Sequence, residues 1–111
     1  MYAPPEAEDP RRLDHRSDIY SLGIILLEMV QGRPPFEAGS AIELMLMHKE
    51  TPFPSFEELW VEVPHAVWEL AEWMCRKDPE ERPQNAREVT DRLDGILEAT
   101  VVVADEDDEL V

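Results

Sequence analysis

The sequence predicts a mainly α fold with no sheet, arranged around one central buried helix. Three observations lead there. In the stretch from Asp18 to Val30, nine of thirteen residues are Ile, Leu, Met, Val or Tyr, and they cover every face of a helix rather than one stripe. Helix-start patterns of the form Ser/Asn-x-x-Glu recur at Ser40, Ser55 and Asn85. The period-two alternation of β-branched residues that marks strands is nearly absent.

The central helix is too short to cross a bilayer and carries Asp18 and Glu28 near its ends, so the apolar faces are to be buried in protein. Asp14 or Ser17 caps its start. Gln31 and Gly32, followed by Pro34 and Pro35, stop it, because glycine supplies the left-handed turn and proline forbids continuation. Ahead of it, residues Met1 to Leu13 hold Pro4, Pro5 and Pro10 among charges and read as extended or turn-like. After it, Ser40 opens a helix from Ala41 to Lys49 with Ile42, Leu44, Met45 and Met47 on a broad apolar surface. Thr51 to Val63 is a proline-flanked loop with one turn of helix begun at Ser55. Pro64 suits the first turn of the next helix, which runs to about Arg76. Its Val67, Leu70, Ala71 and Met74 form a core stripe with Trp68 and Trp73 on the margins. A charged turn from Lys77 to Pro83 leads to the last helix, with Val89, Leu93, Ile96 and Leu97 on one side and Gly95 weakening it. The central helix is thus joined by three or four others in one domain, residues 1–98. Residues 99–111 end in five consecutive acids, Asp105 to Glu109, and are expected to form a disordered acidic tail.

Composition narrows the function. Ten Lys and Arg stand against 26 Asp and Glu, a net charge of −16. There is no basic stripe to displace phosphate counterions, which excludes nucleic acid and argues against anionic membranes. Basic partners are favoured instead. A single cysteine, Cys75, and no visible leader or span predict a cytoplasmic chain. Cys75 stands beside Arg76 and Lys77, neighbours able to lower a thiol pKa, but a cysteine on a helix reads more readily as buried and inert. His15, His48 and His65 lack the spacing of a metal site; His65 and Glu69 share a helix face, but read as a solvated pair.

Four motifs together resemble the second half of the large lobe of a bacterial-type serine/threonine protein kinase. They are Tyr2 to Glu6, Asp14 to Gly23, Gly32 to Phe36 and Lys77 to Pro83, in that order, and the resemblance covers about residues 2 to 97. Tyr2 to Glu6 matches the Ala-Pro-Glu segment that closes the activation loop, with Pro4 in place of the usual alanine. Glu6 lies twelve positions before Asp18, the spacing of that family. The resemblance implies that Glu6 pairs with Arg82, against the alternative that both are solvated charges. It implies that Asp18 accepts backbone amides from a catalytic loop, and that Ile25 and Met29 support the side chains beneath the nucleotide. Glu28 falls near a docking position for a basic substrate residue, and reads equally as an ordinary helix-end carboxylate. The helix opened by Ser40 matches a docking surface, making Ile42 and Met45 candidate partner contacts.

Phosphoryl transfer needs a phosphate cradle, a lysine on the phosphates, a catalytic aspartate and magnesium ligands. The family takes these from a Gly-rich loop, a strand lysine, a His-Arg-Asp loop and an Asp-Phe-Gly segment. These 111 residues contain none of the four, and the four glycines are scattered. The expectation is a kinase fragment with no catalytic, cofactor-binding or metal residues of its own, ATP and magnesium belonging to the complete family. A helical interaction module for basic peptides, or a pseudokinase-like subunit completing a partner chain, are the alternatives. If a missing half covers the central helix, its apolar surface near Ile25 and Met29 is exposed and promotes self-association.

Overall fold

The computed structural model describes residues 3–59 and 61–109, the residues from 100 on for their backbone alone. It contains four α-helices: α1 (His15–Gln31), α2 (Ala41–Glu50), α3 (His65–Met74) and α4 (Ala86–Glu109). Single turns of 3-10 helix at Pro10–Arg12, Phe56–Glu58 and Pro79–Glu81 precede α1, α3 and α4, and no strand occurs among the described residues.

Local chemistry sets the helix ends. Asp14 caps α1, its carboxylate accepting the Arg16 amide at 2.8 Å while Ser17 Oγ accepts the Asp14 amide at 3.3 Å. Gly32 ends the helix in the left-handed conformation, φ 84°, its amide on the Glu28 carbonyl. Ser40 caps α2 through the Glu43 amide at 3.1 Å. At α4 the Glu88 amide bonds Asn85 Oδ1 at 3.0 Å, while the Glu88 carboxylate takes the Gln84 amide rather than that of Asn85. Ser55 departs from the pattern: its hydroxyl donates to Glu58 Oε1 and caps no amide.

α1 and α3 pack at close range because residue 23 has no side chain. A Cβ placed there would lie 2.7 Å from both Cys75 Sγ and Met74 Cβ. Two groups of side chains flank this crossing. Ile19, Leu70, Met74 and Val89 join α1, α3 and α4, with Leu26, Trp73 and Ile96 partly buried around them. Tyr20, Ile24, Phe36 and Cys75 form the other group, against which Leu44, Met47 and Phe53 pack.

Among the described residues α1 is buried on one side and open on the other, the exposure near Ile25 and Met29 that is expected where a missing half would cover the helix. Its Ile19, Tyr20, Ile24 and Leu27 side is buried, but Leu22 is 52% exposed and Met29 77%, with Ile25 also open. The helix is apolar all round, yet the described residues supply neighbours for one side only. Beside the open side, Leu22, Ile25, Leu26 and Met29 face Leu70, Met74, Val89 and Leu93 across a cleft of about 130 Å³. At the other end of the chain, α4 continues to Glu109 through residues that the sequence assigns to a tail without regular structure. Extending a formed helix costs far less than nucleating one.

Candidate functional site

Glu6 lies at the end of a turn in which the Ala7 amide bonds the Pro4 carbonyl and the Asp9 amide bonds the Glu6 carbonyl, each at 3.0 Å. Arg82 arrives from the opposite end of the chain, just after the 3-10 turn that Asp78 caps through the Glu80 amide. The structure brings the two together. Arg82 Nη1 donates to Glu6 Oε2 at 2.7 Å and Nη2 to Oε1 at 2.9 Å, a two-pronged pair with side-chain exposures of 0% and 1%. The other guanidinium N–H groups donate to the carbonyls of Arg76 (2.7 Å), Arg16 (3.1 Å) and Lys77 (3.2 Å), so all five donors are used. Ser17 Oγ donates to Glu6 Oε2 at 2.8 Å.

Burial alone would raise the Glu6 pKa, but hydrogen bonds from Arg82 and Ser17 outweigh it and hold the carboxyl below its ordinary value. A group held ionised and enclosed has no proton to offer a substrate. The pair is therefore a joint rather than an acid–base centre. Taking one partner from such a pair costs about 3–5 kcal/mol, because the other is left charged in a dry interior.

Around the joint, further bonds tie the start of α1 to the approach to α4. Arg16 Nη1 reaches Glu80 at 2.9 Å and Gln84 Oε1 at 3.1 Å, and a His15 ring nitrogen meets the Gln84 carbonyl at 2.6 Å. On its inner side the Arg82 guanidinium lies 4.9 Å above the centre of the fully buried Tyr20 ring. The Tyr20 hydroxyl makes a 2.7 Å hydrogen bond with Nδ1 of buried His48. Lys77 Nζ donates to the His48 carbonyl at 2.7 Å and lies over the Phe36 ring. Desolvation pulls the Lys77 pKa down to about 8, and burial pushes the Tyr20 hydroxyl up.

The remaining sequence-predicted residues lie outside this joint. Asp18 is exposed on the first turn of α1, and Glu28 is half-buried near its end. On α2, Ile42 is 68% exposed and Met45 half-buried. Cys75 is buried, and burial pushes its thiol pKa up, a larger effect than the lowering by nearby Arg82 and Lys77. His65 and Glu69 make a 2.9 Å contact with both side chains about half exposed. No cluster of three or more His, Cys, Asp or Glu suited to a metal ion occurs among the described residues. Among those residues, too, no helix is long and apolar enough to cross a membrane.

Sequence reasoning missed Ser17 as a partner of Glu6, and missed Tyr20, His48 and Lys77 as a linked group. Gly23, inside an apolar helix where glycine is unfavourable, was the one available signal of a close helix crossing.

The sequence profile described as the protein kinase domain matches residues 1–92. A probable serine/threonine-protein kinase of Clostridium acetobutylicum is 35% identical over 95 residues, covering 86% of this chain. The serine/threonine-protein kinase PkaA of Streptomyces coelicolor is 39% identical over 84 residues, 74% of the chain. PrkC of Bacillus subtilis, also a serine/threonine-protein kinase, is 34% identical over 88 residues, 79% of the chain. In each case the match spans only 14% of the relative's length.

Proposed function

The chain belongs to the protein kinase domain family, and on that premise we propose that these residues are the helical frame of a serine/threonine kinase's large lobe, without phosphoryl transfer of their own. The folded unit is residues 1–98, with 99–111 an acidic appendage. In this reading the Glu6–Arg82 joint fastens the end of the activation segment to the late helices. Asp18, exposed at the start of α1, is offered to the amides of the catalytic loop. The open side of α1, with Leu22, Ile25 and Met29, is the seat of the rest of the domain.

What supports the reading most is the buried two-pronged pair between Glu6 and Arg82, which spans 76 positions of sequence. Such a joint places the opening segment; it has no free group for chemistry. Phosphate cradle, metal ligands and catalytic aspartate must come from elsewhere in the domain.

Calorimetric titration of the 111-residue chain with ATP and magnesium, with a parallel assay of phosphoryl transfer to protein serine and threonine, tests this directly. No binding and no transfer are expected. Magnesium-dependent ATP binding by the chain alone would overturn the proposal. Reading the coding sequence upstream of Met1 provides a separate check: in-frame His-Arg-Asp and Asp-Phe-Gly segments there would make the chain a fragment of a complete kinase domain, and their absence would favour the interaction-module or subunit readings.

One observation favours a second reading as a binding module. Ile42 and Leu46, one turn apart on α2, are 68% and 46% exposed on a chain of net charge −16. Basic peptides are the partners that this charge favours. Their capture should weaken steeply with salt if charge is the cause; salt-independent capture argues against it.

A further inference from the structure

We propose that Tyr20 couples the seating of α2 to the Glu6–Arg82 joint, so that α2 and the opening segment loosen together. α2 buries one residue, His48. The His48 ring bonds the Tyr20 hydroxyl at 2.7 Å and stands edge-on to Phe36, and its carbonyl takes Lys77. Leu44 and Met47 add partly buried packing. A helix held by so few buried contacts opens at a lower free energy than the α1–α3 core.

Tyr20 touches both parts. Its hydroxyl holds His48, while its face lies under the Arg82 guanidinium at 4.9 Å. Arg82 in turn has every donor committed, two of them to Glu6. In a close-packed interior the ring cannot tilt to release His48 without moving under Arg82, and a loosened Arg82 frees the ring to tilt. Lys77 offers a second route, its Nζ on the His48 carbonyl and its own carbonyl accepting Arg82 Nη2, but it bypasses the Tyr20 hydroxyl and is kept by Tyr20→Phe. The Lys49–Glu8 ion pair is about half exposed on both sides and is too weakly held to carry the effect.

Hydrogen exchange of the 111-residue chain, read by mass spectrometry over residues 41–50 and 3–9, tests this. Tyr20→Phe, which removes the hydroxyl and keeps the ring, should speed α2 exchange by about fivefold, the loss of one buried hydrogen bond. Glu6→Gln should speed α2 exchange severalfold in the native background and less than about twofold in the Tyr20→Phe background, the non-additivity that marks coupling. Ser17→Ala loosens Glu6 more gently and carries the same comparison if Glu6→Gln fails to fold. Lys49→Ala is the control, expected to change exchange by less than about twofold. Unchanged α2 exchange in Tyr20→Phe, or equal effects of the Glu6 or Ser17 change in both backgrounds, overturns the proposal.

Discussion

At Gly23 helix propensity and packing pull in opposite directions, and packing wins. Alanine is favoured over glycine inside a helix by about 1 kcal/mol, but a methyl here would collide with Cys75 Sγ and Met74 Cβ at 2.7 Å. Gly23→Ala should therefore lower stability by about 1–3 kcal/mol in urea titration, the usual cost of overpacking; a gain would mean that α1 and α3 are free to separate. Glu6 makes a pH-dependent contribution of definite sign. Its folded pKa lies below the ordinary 4.5, so its stabilisation is fully present above that value and is lost as pH falls through the folded pKa. Stability should decline as pH falls below about 4.5 and through the lower folded value, and Glu6→Gln should flatten that part of the profile. An unchanged slope in the variant would show that other carboxylates cause the decline. Glu6 and Arg82 were legible only through motif spacing, since no local pattern joins positions 76 apart. Ser17 looked like a cap and nothing more; that its hydroxyl also donates to Glu6 depends on the fold.

At the level of elements, what a side chain does to its own backbone was readable and what a helix meets was not. The caps at Asp14, Ser40 and Asn85 and the left-handed Gly32 follow from interactions within four residues. Ser55 has the same motif but a different outcome, because its hydroxyl meets the Glu58 carboxylate instead of an amide. Ser40→Ala should accordingly cost about 1 kcal/mol, whereas Ser55→Ala should stay within about 0.5 kcal/mol; equal losses in thermal or urea unfolding would contradict the assignment. The uniform apolarity of α1 announced burial in protein, and the structure buries one side while leaving open the side near Ile25 and Met29 that a missing half would cover. Hydrophobicity is a property of the helix, while coverage depends on neighbours that the pattern does not describe.

For the whole molecule, two features oppose each other. An apolar strip of Leu22, Ile25 and Met29 beside Leu93 favours association, and a net charge of −16 resists it. Sedimentation should show self-association that strengthens with added salt, as repulsion is screened. Met29→Glu should weaken it without loss of stability, because Met29 is already 77% exposed. A chain that stays monomeric at high salt and high concentration would show that this strip needs no cover. The family was legible because four motifs keep their order across nearly the whole chain. The link from α2 through His48 and Tyr20 to Arg82 was not, being a product of three elements meeting. The account depends above all on the joint between the first and last parts of the fold, and a double-mutant cycle of Glu6→Gln and Arg82→Met, followed by urea unfolding, measures it most directly. Each single change should cost about 3–5 kcal/mol and the pair together far less than the sum; small, additive losses would show that the two side chains do not hold the fold together.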